Sequence, residues 1–308
     1  MDFTVTDDER AVIDTAAQVA AAADPWAALA DGGWLDILLE DERGLGYLGL
    51  VAEALGGAGV SVPLAGTAVV WPTLFGGSAG GRRVGVADRC DAAPPSATAL
   101  SQPGPPAGVL CEDGVGADVI VVLRDGKAGV HETFSVEPLG RLEGDRLARV
   151  RLDGKPLDRC QDADLVAEAR RRAAALTAAE MAGTIDRIAT MTAAYVTERR
   201  QFGRPISAFQ AVAHGAARLA TLAQAATWSA RLACTSADPG DTAAAKGWIS
   251  AASAEVSALA HQLHGAIGFT EEYGLQRLSK RLRTLRFAYG DDRSHFRALG
   301  AGRVTETV

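Results

Sequence analysis

Two stretches of this 308-residue chain hold side chains whose types and spacing could do chemistry. The first is Tyr195-Val196-Thr197-Glu198-Arg199-Arg200-Gln201-Phe202-Gly203-Arg204-Pro205-Ile206, followed by Phe209-Gln210 and His214. It reads as a helix end that sets guanidinium groups beside an aromatic ring and a Gly-Arg-Pro turn. Arginines presented in this way offer charge-assisted, bidentate hydrogen bonds to a pyrophosphate. The same residues have a plainer reading, in which cations in a last helical turn offset the macrodipole and Phe202 belongs to the core. The second stretch is Gln262-Leu263-His264-Gly265-Ala266-Ile267-Gly268-Phe269-Thr270-Glu271-Glu272-Tyr273-Gly274-Leu275-Gln276-Arg277. Gly265 and Gly268 end one helix and let another backbone or a ligand approach closely, while the Gln262 amide can serve a ring or a phosphate. Two glycines after a helix also make an ordinary C-terminal cap.

Both stretches need long helices to hold them, and the chain supplies these from about residue 158 to its end. Residues 164 to 199 contain no Pro and only Gly183. Further helical runs follow at about 207 to 236, 241 to 264 and 272 to 287, separated by Asp238-Pro239-Gly240 and by the Gly265–Gly268 segment. Long helices with short connectors predict an up-and-down four-helix bundle over 158–308. Residues 1–78 read as a smaller helical domain. Thr6-Asp7-Asp8-Glu9 has the form of a capping box ahead of Val12, Ile13, Ala16, Val19 and Ala20, and a second helix runs from Leu45 to Leu55 with Gly56-Gly57 as its stop. Another, more apolar helical segment begins at Val62-Pro63-Leu64.

Between them, residues 79–157 lose helical periodicity and gain Gly and Pro. Arg83–Ala87, Asp118–Leu123, Gly129–His131 and Leu147–Leu152 are strand candidates, with turns at Arg124-Asp125-Gly126 and Asp153-Gly154. This predicts a small β-domain of four to seven strands, and the Pro-rich stretch 94–106 reads as a surface loop. The fold class expected is mainly α with a small β-domain.

Composition narrows the function from outside. There are 38 Asp and Glu against 31 Lys and Arg, a net charge of −7, which leaves no electrostatic footprint for nucleic acid or an anionic membrane. Cys90, Cys111, Cys160 and Cys234 lie far apart without a CxxC pair, so neither a zinc site nor a disulfide framework is signalled. No signal peptide or transmembrane span is supported, and the cytosol is the default compartment.

Taken together and in this order, the two stretches match the pattern Y-x-x-x-R-x-x-F-G-x-P-I-x-x-F-Q-x-x-x-H, then Q-x-H-G-x-x-G-F/Y-T-x-E-Y-x-L-x-R, and the chain resembles the acyl-CoA dehydrogenase family. That family's order of parts, helical domain, central β-barrel and C-terminal four-helix bundle, is similar to the three zones here. The resemblance implies that Arg199 and Phe202, with Gln262, Gly265 and Gly268, clamp the adenine-pyrophosphate end of an FAD held mainly in a neighbouring subunit. Ala266 stands where the family often has a second Gly.

The family's reaction, α,β-dehydrogenation of an acyl thioester, requires a positioned carboxylate base. The usual base, in a Y-E-G-T segment, aligns with Ala288-Tyr289-Gly290-Asp291, so Tyr289 takes its place; the alternative position, 29 residues before Phe202, is Ala173. Neither is a carboxylate. Asp291 and Asp292 are offset around the chain, and Glu180 lies about 10 Å along the helix from Ala173 at 1.5 Å per residue, which suits a helix-pairing carboxylate better than a base. The T-E-x-x-x-G-S-D and W-I-T/S segments that cover the flavin ring in full-length relatives are missing from 79–157; the nearest string, Cys111–Asp118, reads as a hairpin turn. The chain thus resembles the short subunits of heteromeric actinobacterial acyl-CoA dehydrogenases, which pair with a longer, Glu-bearing subunit and act on CoA thioesters of steroid side chains. Two other expectations remain open: a self-sufficient flavin dehydrogenase or oxidase with a non-standard base, and a non-catalytic scaffold.

Overall fold

The computed structural model describes residues 5–88, 108–139 and 147–305. Cys90 and the proline-rich stretch 94–106 lie outside the described residues. Helix α1 spans Asp7–Ala21, and its capping box is complete: Glu9 N donates to Thr6 Oγ1 and Thr6 N donates to the Glu9 carboxylate. Short helices α2 (Pro25–Asp31) and α3 (Ile37–Glu40) lead to α4 (Gly44–Ala58). Gly56 and Gly57 do not stop α4. The left-handed residue is Gly59, at φ +70°, and Gly56 serves packing instead, because a Cβ there would strike the Glu180 carbonyl. A π-helical turn, Ala65–Val70, runs into α5 (Trp71–Phe75).

Among the described residues seven strands follow in two sheets. β1 (Val84–Asp88), β3 (Val119–Arg124), β4 (Lys127–His131) and β7 (Asp158–Cys160) form the first, with β1 parallel to β3 and the other pairs antiparallel. β2 (Val109–Cys111), β6 (Ala148–Leu152) and β5 (Phe134–Pro138) form the second, entirely antiparallel. The strand period of two explains how β3 serves two cores. Val119, Val121 and Leu123 pack toward Trp71, Leu74 and a long helix, while Ile120 meets Cys111, Ala148 and Val150 of the second sheet. Asp125 and Gly126, at φ +52° and +70°, close the β3–β4 hairpin as read from sequence. The Cys111–Asp118 string is indeed a turn, but it passes from one sheet to the other rather than joining paired strands.

The long helix is α6 (Ala163–Glu198), 36 residues whose alanines let neighbours approach on nearly every side. It packs against α4, α7 (Gln210–Thr235) and α8 (Pro239–His264), with α9 (Leu275–Leu285) completing the bundle and α10 (Asp292–Thr305) lying on α8. The α4–α6 crossing is close because Gly183 has no Cβ to meet the Glu53 carbonyl, and Thr184 Oγ1 donates to Gly56 O at 3.2 Å. Arg231 on α7 donates two hydrogen bonds to Glu53, at 2.9 and 3.0 Å, pinning the same crossing from a third helix. Cys111, Cys160 and Cys234 are buried without disulfides, and burial pushes the Cys234 thiol up to about 12.

Candidate functional site

The end of the molecule that carries Arg199 and Phe202 is built where α6 stops. Arg199 turns extended there, its N–H donating to Tyr195 O at 2.8 Å. The chain then doubles back in a two-stranded ribbon, β8 (Arg200–Gln201) with β9 (Arg204–Pro205). Phe202 and Gly203 occupy its tip at φ +52° and +78°, the pair of positive angles a two-residue hairpin turn needs. That geometry throws the Phe202 ring outward, 91% exposed, so it does not belong to the core. It stands edge-on to Phe209 at 6.0 Å, and the Arg204 guanidinium lies 4.1 Å over the Phe209 ring. The Arg199 side chain is exposed and has no carboxylate partner among the described residues.

The second stretch lies at the same end. Gly265 caps α8 at φ +65°, donating its N–H to His261 O, and has no heavy atom within 4 Å of where a Cβ would stand. Both readings of this glycine therefore hold: it is a cap, and its backbone is open to approach. Gly268 is buried, a Cβ there meeting His264 Cβ at 3.0 Å and Leu275 Cδ2 at 3.1 Å, so its smallness lets the chain turn into α9. Exposed Gln262 lines a surface cleft of about 630 Å³ with Gly265, Ala266, His261 and Phe269. The two stretches are joined by Tyr195, whose ring stacks on His264 at 4.6 Å and whose hydroxyl donates to His264 O at 3.3 Å. His264 also meets Tyr273 Oη at 3.1 Å. Sequence reading quoted Tyr195, His264 and Tyr273 within the motifs without giving them a task; their aromatic types at those places were the available signal.

The positions of the family's bases are different in kind. Tyr289 follows α9 at φ +52° and is buried beside Ala288. Burial pushes its phenol well above 10, and Asp113 and Glu112 add to the effect, so it stays a neutral donor. Its carbonyl accepts from His295 Nε2 at 3.1 Å. Ala173, fully buried, belongs to the same apolar cluster as Tyr289, with Val84, Val119 and Val121. Glu180 is a helix-pairing carboxylate: Arg281 of α9 donates to it from Nε at 2.9 Å, with Nη2 at 2.8 Å. Burial works against the Arg281 charge, but Glu180, Asp113 and Glu112 outweigh it and raise its pKa. The cavity that Glu180, Arg281, Thr177 and Tyr289 line measures about 20 Å³, room for about one water. Asp291 accepts from Ser294 N at 2.8 Å at the start of α10, and Asp292 accepts from Arg286 at 3.0 and 3.1 Å. Each nearby carboxylate is thus occupied in structure.

Among the described residues no helix is long and apolar enough to cross a membrane, and no group of three or more His, Cys, Asp or Glu could hold a metal ion. The architecture is thus a helical unit, a small two-sheet unit and a helical bundle with a basic, aromatic edge. Residues 165–302 match the family model described as acyl-CoA dehydrogenase, C-terminal domain. The chain is 32% identical over 242 residues to acyl-CoA dehydrogenase IpdE2 of Mycobacterium tuberculosis, covering 75% of this chain and 70% of that protein. Among solved structures it is similar to a variant of the Tcur3481-Tcur3483 steroid ACAD, with TM-score 0.79 and 21% identity over 99% of both chains. The ChsE4-ChsE5 complex of Mycobacterium tuberculosis gives TM-score 0.77 and 21% identity, again over 99% of both chains. The chain belongs to the acyl-CoA dehydrogenase family.

Proposed function

We propose that this chain is the clamp-bearing subunit of a heteromeric, FAD-dependent acyl-CoA dehydrogenase. Arg199, Phe202, Gln262, Gly265 and Gly268 receive the adenine and pyrophosphate of an FAD seated mainly in a longer partner subunit, and that partner carries the catalytic glutamate. When bound, FAD supplies the hydride acceptor for α,β-dehydrogenation of an acyl-CoA thioester. The roles of this chain's residues follow from their chemistry. Arg199 sets an unneutralised guanidinium toward a diphosphate. Phe202 gives an exposed face on which adenine can stack. Gln262 supplies an amide donor, and Gly265 lets a phosphate reach the backbone.

The observation that carries this reading is the contrast between an open, cationic, aromatic end and base positions held by Tyr289, which lines a cavity of about 20 Å³, and by Ala173, which is buried in an apolar cluster. A CoA thioester cannot enter such a space. The fold neighbours support the finer points: one is named a steroid ACAD, and another was solved as a complex of two proteins. We therefore assign a steroid side-chain CoA ester as the substrate class and a heterotetramer as the assembly.

The test is Arg199→Ala in the complex with the longer subunit. Losing a charge-assisted contact of about 1.5 to 3 kcal/mol should weaken FAD binding roughly ten- to a hundredfold, without unfolding the bundle. Arg199→Lys should recover only part, because the bidentate geometry is lost. If flavin affinity and thermal midpoint are both unchanged in the alanine variant, Arg199 is a helix cap and nothing more.

A further inference from the structure

We infer that His264 and Tyr273, working with Tyr195, are positioning residues that brace the two halves of the clamp against each other. The inference rests on the clamp reading above. Arg199 and Gln262 sit on different helices, and neither side chain makes a tertiary hydrogen bond among the described residues. Something else has to fix the distance between them. Tyr195 is one helical turn before Arg199, and His264 lies between Gln262 and Gly265. Beside the general packing of α6 on α8, the contact between these two residues ties the end of one helix to the end of the other.

The hydrogen bonds give the link a direction. His264 Nδ1 is 2.8 Å from Ala260 O, a carbonyl that can only accept, so Nδ1 bears the hydrogen. Nε2 is then the acceptor, and Tyr273 O–H, 3.1 Å away, is its donor. Burial lowers the His264 pKa below the ordinary value, which keeps the ring neutral and Nε2 free to accept. Tyr195 O–H donates to His264 O at 3.3 Å, one of the last carbonyls of α8, which lack partners within the helix. The rings pack as the bonds require: Tyr195 stacked on His264 at 4.6 Å, Tyr273 edge-on to both at 5.9 and 4.9 Å. Three rings from α6, α8 and the loop before α9 thus meet in one unit.

A purely structural role would appear as a loss of stability alone. A positioning role moves flavin affinity while the association of the subunits holds. The experiment uses the complex with the longer subunit, stripped of flavin and titrated with FAD, with subunit association and thermal midpoint measured alongside. Tyr273→Phe deletes one hydroxyl and keeps the ring, so the variant should fold. It should raise the FAD dissociation constant three- to tenfold with little change in subunit affinity. His264→Leu should do at least as much, and His264→Gln, which retains an acceptor and a donor, should recover part. Tyr273→Phe combined with His264→Leu should be no worse than His264→Leu alone, since both break one bond.

Arg199→Ala in the same titration separates the outcomes. If it weakens FAD binding while Tyr273→Phe and His264→Leu leave the constant unchanged, the brace does not position the clamp. If none of the three changes it, the clamp reading falls, and this inference with it. If the brace variants weaken subunit association and flavin binding equally, the cluster is structural and the inference is wrong.

Discussion

Two regions at opposite stretches of α6 were built from the same kinds of residues and came to opposite ends. Near Ala173 and Glu180 the helix is enclosed. Tyr289, Arg281 and the Cys111–Asp118 turn close over it, and about 20 Å³ remains. Past Tyr195 the helix runs out to solvent, Phe202 is 91% exposed, and a cleft of about 630 Å³ opens beside Gln262 and Gly265. Arginine does different work in the two places. Arg281 is inside, neutralised by Glu180; Arg199 is outside, with no carboxylate partner among the described residues. One rigid helix can thus carry a closed, neutralised stretch and an open, cationic end without either disturbing the other, and the proposed function assigns them a filled reaction pocket and a surface for a partner.

The largest expected effect strikes the enclosed region. Arg281→Met removes the cation from a buried cluster and leaves Glu180 facing Glu112 and Asp113. Breaking a buried pair from one side costs about 3 to 5 kcal/mol, which urea unfolding of the chain would show. A loss below about 1 kcal/mol would mean that water reaches this region and that it is not closed.

His295, which holds the Tyr289 carbonyl, supplies a somewhat smaller, pH-dependent effect. Burial and then Lys246 lower its pKa from 6.5 to about 4. An unfolded chain takes up the proton near 6.5 and the folded one only near 4, so this residue's share of stability is complete above about pH 6.5. It is lost progressively as pH falls toward 4, up to about 3 kcal/mol. His295→Gln should flatten that part of the stability-against-pH curve, leaving the slope due to Asp291, whose carboxyl, despite burial, is held below its ordinary value by Ser294. Parallel curves for variant and wild type between pH 6.5 and 4 would refute the assignment.

The smallest expected effect is none at all. Tyr289→Glu restores a carboxylate to the family's usual base position, yet it should produce no enoyl-CoA when paired with a partner whose catalytic Glu is changed to Gln. The new carboxyl would lie among Glu112 and Asp113 and be held protonated, and no thioester fits beside it. Turnover restored in that pairing would show a complete dormant site here and erase the contrast between the two regions.

Much of this was legible in the sequence, and the failures have physical causes. The four long bundle helices and the Thr6–Glu9 cap carry their own periodic and capping signals. The strands β2 and β7 escaped because they have three residues each, and β5 because its alternation of Phe134 and Val136 with Ser135 and Glu137 is short, only half-buried and ends in Pro138. Gly56-Gly57 was read as a stop because a pair of glycines resembles a cap. Its task is set by α6, more than a hundred residues away in the chain, which no local pattern reports. At the end where α6 stops, residue types singled out Arg199, Phe202 and Gln262 as candidates. The outward throw of Phe202 depended on a two-residue turn, and the aromatic link through His264 on a tertiary contact. The occupied state of Glu180 needed Arg281, which its spacing on α9 could suggest only once the helices were packed.

The central claim is that this chain completes a flavin site without owning one, and the visible spectrum tests it most directly. The chain should be purified alone and as the complex with the longer acyl-CoA dehydrogenase subunit, each assayed for bound FAD and for acyl-CoA dehydrogenation. The account predicts little flavin and no turnover for the chain alone, and both in the complex. Stoichiometric FAD with turnover in a verified single-subunit preparation would contradict it.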